Sequence, residues 1–170
     1  MDKILQTQMN NIYNQINAQE EEVETAARLL AQAVHGEGRV VVKTFHDFTK
    51  IEPLLTQGEL KLGNPVPFSS LEALDTPDRV LVVANTFDEE VRAFTETLYD
   101  NAVEFALISN YNRHEAETID SFHHYIDLSS PRPLIPTPAF DKIVNPYINA
   151  FTYIYYHLYV LIDEMTNEEY

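Results

Sequence analysis

Short, continuous apolar runs limit what this chain can fold into. Arg39-Val40-Val41-Val42-Lys43, Val80-Leu81-Val82-Val83-Ala84 and Phe105-Ala106-Leu107-Ile108 do not alternate apolar with polar residues. Such runs are strands buried on both faces, the condition of a parallel sheet covered by helices. Tyr125-Ile126-Asp127-Leu128 reads as a fourth strand, and Leu60-Lys61-Leu62 as a short edge strand. Between and around them the apolar period changes to that of a helix. Ile4, Leu5, Met9, Ile12 and Ile16 predict a helix over 2–17. Val23, Ala26, Ala27, Leu30, Ala33 and Val34 predict a second from Glu20 to His35, with three Glu in its first turn and Gly36 and Gly38 to stop it. A helix over 88–101 turns Val91, Phe94, Thr95 and Leu98 inward, and 113–121 reads as a short one. The stretch 63–77 and the segment holding Pro131, Pro133, Pro136 and Pro138 read as irregular or extended. A long helix, starting near Asp141 or Pro146, closes the chain at Thr166.

Strands that alternate with helices form right-handed βαβ units. The expectation is an α/β three-layer sandwich, with a five-stranded parallel sheet in flavodoxin-like order, two N-terminal helices and a long C-terminal helix. At 170 residues it makes one domain, 1–170, with a single core. Lys and Arg number 11 against 27 Asp and Glu, a net charge of −16. That balance repels a phosphate polymer or an anionic bilayer, so neither nucleic acid nor membrane is the expected partner. A small anion in a local pocket stays open. The absence of Cys removes disulfides and thiolate chemistry. The N-terminus MDKILQTQMNN lacks a signal peptide's apolar block, and the apolar run Ile148–Ile162 is too short and polar to span a bilayer. A cytoplasmic location is the expectation.

In such a sheet the ligand crevice lies beyond the C-terminal strand ends, where strand order reverses. Three loops reach it. The first offers Lys43, Thr44 and His46, the second Asn85 and Thr86, the third Ser109, Asn110 and Asn112. Hydroxyls, amides and a cation are what a phosphate needs. The same residue types also cap helices and fill turns. Asp88, Glu89 and Glu90 oppose an anion at the second loop, and Asp88 or Thr86 is the expected helix cap. No HxxxH or HExxH spacing occurs among the six His. In the terminal helix Asn149, Tyr153 and His157 align at intervals of four. His157 reads first as a hydrogen-bonded core residue and second as a buried acid/base. The helix is apolar on more than one face, which suggests burial on two sides and a dimer.

The order of two helices, then Gly36-Glu37-Gly38-Arg39-Val40-Val41-Val42, then Asp78 to Val83 ending in a polar turn, then Phe105 to Ser109, then a long helix, resembles the SIS (sugar isomerase) domain. Within it the chain is most similar to the single-domain phosphoheptose isomerase-like branch. The resemblance implies sugar phosphate binding and a homodimer or tetramer with sites shared between subunits. It places Asn149 and His157 where the family carries a Gln and a catalytic His, and brings a divalent metal into view. The family's Gly- and Ser-rich turn is here Lys43-Thr44-Phe45-His46, and its second hydroxyl-rich turn is Asn85-Thr86. The family's other His and Glu have no counterpart, since Lys50 stands four residues after His46. The expectation is therefore a phosphosugar-binding protein with a degenerate catalytic set. Its ligand residues would be Lys43, Thr44, His46, Asn85, Thr86, Ser109 and Asn110, with His157 as the catalytic residue if turnover occurs. The alternatives are a phosphosugar aldose–ketose isomerase, working by proton transfer through an enediol, and a non-catalytic interaction protein.

Overall fold

In the computed structural model, which describes residues 2–167, the apolar runs are the centre of the molecule. The chain runs α1 (Asp2–Asn17), α2 (Glu20–His35), β1 (Val40–Thr44), α3 (Glu52–Gln57), β2 (Val66–Pro67), β3 (Arg79–Thr86), α4 (Glu89–Asp100), β4 (Phe105–Asn110), α5 (Ala116–Asp120), β5 (Tyr125–Asp127), a hairpin of β6 (Ile135–Pro136) and β7 (Lys142–Ile143), and α6 (Tyr147–Thr166). Single 3-10 turns occupy His46–Lys50, Leu71–Ala73 and Arg113–Glu115.

Strands β1 to β5 form one parallel sheet in the order β2-β1-β3-β4-β5, the flavodoxin-like order expected. Alternation along each strand divides the core in two. Val40, Val42, Leu81, Val83, Ala106, Ile108 and Ile126 pack with α1, α2 and α6. Val41, Val80, Val82 and Leu107 pack with α4 and α5. The order reverses between β1 and β3, so the crevice lies between the loops that leave these two strands.

Two elements differ from expectation. The edge strand is Val66–Pro67, paired with Val41 and Val42, not Leu60–Leu62. Leu62 is instead buried in the core, and the Tyr155 hydroxyl donates to the Leu60 carbonyl. A Pro is tolerated at the outermost strand because its missing N–H is not needed by a second neighbour. The Phe68 N–H donates to the Val42 carbonyl at 2.8 Å and extends the pairing. The short helix α3 also carries no sequence signal beyond Pro53 in its first turn. No helix among the described residues is long and apolar enough to cross a membrane.

Helix α6 packs on the sheet side through Ala150, Phe151, Ile154, Tyr155, Leu158 and Ile162. Its Asn149–Tyr153–His157 stripe is rotated away from that face and meets α1. The Asn149 amide donates to the Tyr13 hydroxyl at 2.8 Å, and the Tyr153 hydroxyl donates to Asn17 Oδ1 at 2.9 Å.

Candidate functional site

The loops leaving β1, β3, β4 and the segment after β5 are joined by a chain of hydrogen bonds. His46 opens the first loop with φ of 57°, a conformation side chains rarely adopt. Its ring holds it there. The Asn85 N–H donates to His46 Nδ1 at 3.3 Å, so the ring proton is on Nε2, which donates to Asp88 Oδ2 at 2.7 Å. Asp88 is the N-cap of α4, and its Oδ1 accepts from the Val91 N–H at 3.1 Å. Burial pushes the Asp88 carboxyl up, but the Val91 N–H and the His46 ring outweigh it and hold the group below its usual range. Asn110, almost fully buried, donates to Asn85 Oδ1 at 3.0 Å and to the Ser130 carbonyl at 3.2 Å, and accepts from the Ser130 N–H at 2.8 Å.

This network accounts for three of the expected ligand residues, His46, Asn85 and Asn110, as positioning groups. Both His46 nitrogens are engaged, so the ring has no free lone pair to take a proton from a substrate. Thr44 and Lys43 do not act as a pair, because adjacent strand residues point to opposite faces. Thr44 is buried and donates to Glu52 at 3.2 Å. The Lys43 ammonium lies among Phe45, Phe94 and Phe68, at 5.0, 5.5 and 5.9 Å from the ring centroids, a cation–π cage that fixes it on the α4 side. Ser109 is fully buried, and its carbonyl accepts from the Tyr125 hydroxyl at 2.8 Å.

Thr86, with Asn112 from the third loop, lines an open pocket. The pocket has a volume of about 480 Å³ and is walled by Thr86, Tyr111, Asn112, Arg113, His114, Pro131 and Arg132. It sits at the C-terminal ends of β3 and β4, beside the hydrogen-bonded loops. The two arginines are the residues that reading the sequence missed. Arg113 falls inside the segment read as a short helix, and Arg132 inside the Pro-rich segment. The available signal was scarcity: in a chain with only 11 cations, one follows the β4 loop closely and another is held between Pro131 and Pro133.

His157 is elsewhere. It is exposed, its ring stands edge-on to Tyr153 at 4.7 Å, and it lines a groove of about 590 Å³ with Ile16, Asn17, Glu20, Tyr156 and Val160. That groove shares no wall residue with the pocket at Thr86. The buried setting expected for His157 does not form, because the stripe it belongs to faces α1 and solvent. No group of three or more His, Asp or Glu side chains that could hold a metal occurs among the described residues.

No curated protein matches this chain. The matching family model spans residues 1–166, nearly the whole sheet-and-helix assembly, and the chain belongs to that family, described as a domain of unknown function (DUF2529).

Proposed function

We propose that this protein binds a sugar phosphate, without turning it over, in the pocket at the C-terminal ends of β3 and β4. One observation carries the reading. Arg113 and Arg132 come from different loops, line one pocket, and have no carboxylate partner among the described residues. In a chain of net charge −16, two guanidiniums that line one pocket without a carboxylate partner offer an anion charge-assisted donors. The pocket lies at the C-terminal ends of the strands, the end of an open α/β sheet at which ligands bind, one strand over from the reversal between β1 and β3, and its size suits a small metabolite. The resemblance to SIS domains supplies the sugar. Absence of turnover is supported by His46, whose nitrogens are both occupied, and by His157, which faces a separate groove. The same resemblance favours a cytoplasmic homodimer or tetramer. Exposed Tyr156 and Val160 on α6, with Ile4 and Leu5 on α1, offer apolar surface for self-association.

The test is thermal unfolding with a panel of sugar phosphates that includes sedoheptulose 7-phosphate, with and without divalent metal. A ligand at 100 times its Kd stabilises by about 2.7 kcal/mol, which for this size is a rise of roughly 5–11 °C. The Arg113→Ala/Arg132→Ala double variant is expected to unfold near the wild-type temperature without ligand and to lose the rise with it. No rise across the panel at millimolar ligand overturns the proposal. Isomerised sugar in the product mixture overturns the absence of turnover.

A further inference from the structure

We infer that the ligand of this pocket carries two separate anionic groups, one for Arg113 and one for Arg132, as in a sugar bisphosphate or a phosphorylated sugar acid. The inference rests on the proposed anion site and narrows its ligand class. It starts from which polar groups of the pocket are already spent. Asn112 is used at both ends: its amide N–H donates to the Phe87 carbonyl at 2.9 Å and its Oδ1 accepts from the His114 N–H at 3.1 Å. The Tyr111 hydroxyl donates to Asp120 at 3.3 Å. Among the described residues, the Arg113 and Arg132 guanidiniums, the His114 ring and the Thr86 hydroxyl make no side-chain hydrogen bond. Ser130, at the root of the segment that carries Arg132, has a buried hydroxyl with no partner among the described residues.

Of these unspent groups the two guanidiniums only donate, whereas the Thr86 and Ser130 hydroxyls and the His114 ring can donate or accept. A sugar hydroxyl needs an acceptor as well as a donor, whereas a phosphate or carboxylate oxygen takes donors alone. The guanidiniums are therefore matched to oxyanions, and the Thr86 hydroxyl and His114 ring suit the hydroxyls between them. Each guanidinium is a planar fork that can hold one oxyanion through two parallel bonds. The chain has six arginines. Arg28, Arg39 and Arg92 are paired with carboxylates, and Arg79 donates to Gln32. The other two stand on loops from different strands, and a lone phosphate group fills only a small part of about 480 Å³. Two anchors on separate loops fit two anions spaced by a short carbon chain.

Isothermal titration calorimetry with fructose 6-phosphate and fructose 1,6-bisphosphate tests this on the full chain and on the Arg113→Ala and Arg132→Ala variants. Both arginines are exposed, so the variants are expected to fold, which the unliganded unfolding temperature checks. The bisphosphate is expected to bind at least tenfold tighter than the monophosphate. Either substitution should cost it about tenfold or more. The monophosphate should respond to only one of the two. Equal affinity for the two sugars, or monophosphate binding lost equally to either substitution, overturns the two-anion inference and leaves the anion site standing. Failure of the wild-type chain to bind either compound overturns both.

Discussion

Gly38 has the carbonyl oxygen of Pro77 only 2.0 Å from where a Cβ would lie. The obstacle is backbone, so it cannot swing aside as a side chain would. Gly38→Ala is expected to lower stability by about 1–3 kcal/mol, the usual cost of overpacking, read as a lower denaturant midpoint. The approach is close because of the next residues. Asp78, with its side chain only 3% exposed, accepts from the Arg39 guanidinium at 3.0 Å, the Arg39 N–H at 2.8 Å and the Asp75 N–H at 2.9 Å. Burial pushes this carboxyl up, but the three donors prevail and hold it below the usual carboxylate value. A group depressed in this way stabilises the fold above its unfolded pKa, and the contribution is lost as pH falls through the folded one. Asp78→Asn should therefore cost about 1–3 kcal/mol at pH 7. The gap to wild type should begin to shrink only below about pH 4, as measured by denaturant melts across that range. His157 has the opposite expectation. It is exposed and without a hydrogen bond among the described residues, so His157→Ala should stay within about 0.5 kcal/mol of wild type and leave sugar phosphate binding unchanged. Loss of binding in that variant would return the His to the site.

Among the elements, α4 shows how a cap serves two purposes. Asp88 satisfies the Val91 N–H and anchors His46 from the neighbouring loop. Asp88→Ala should remove both, for a loss of about 1–2 kcal/mol, and should speed hydrogen exchange at the Val91 and Asn85 amides together. Faster exchange at Val91 alone would mean that the cap and the loop are independent. Elements with a strong apolar period were readable from the residues: α2 begins at Glu20 and ends at His35, and the three buried strands stand where the apolar runs are. The outer strand was not readable. A two-residue strand of Val66 and Pro67 has no period, and the run that looked like a strand, Leu60 to Leu62, was apolar because Leu62 belongs to the core. The terminal helix was readable in extent, but not in rotation. Its tyrosines surround it, so sequence spacing alone does not show that Asn149, Tyr153 and His157 face α1.

The whole molecule carries a large excess of one sign of charge. A net charge of −16 on 170 residues repels itself, and salt screens that repulsion. Raising NaCl from about 20 to about 500 mM should lift the unfolding temperature, by roughly 2–4 °C for each 1 kcal/mol relieved. A fall would mean that the ion pairs matter more than the excess. The end of the sheet was legible at this scale, but strand order points between β1 and β3, whereas the pocket lies one strand over, at β3 and β4. The residues of the site were mostly not legible, because polar loop residues at strand ends look alike in sequence whether they hold one another or a ligand. His46, Asn85 and Asn110 hold one another, and Arg113 and Arg132 are brought to Thr86 only by the folded loops.

The bonds from Asp88 through His46, Asn85 and Asn110 to Ser130 also set an order of events during synthesis. A nascent chain with β1, β3 and β4 outside the ribosome can pair those strands, but the Asn110 amide has no Ser130 to clasp and Arg132 has not arrived. A chain cut short before residue 130 therefore lacks Pro131 and Arg132 of the pocket wall, and with α6 it lacks part of the cover of one face of the sheet.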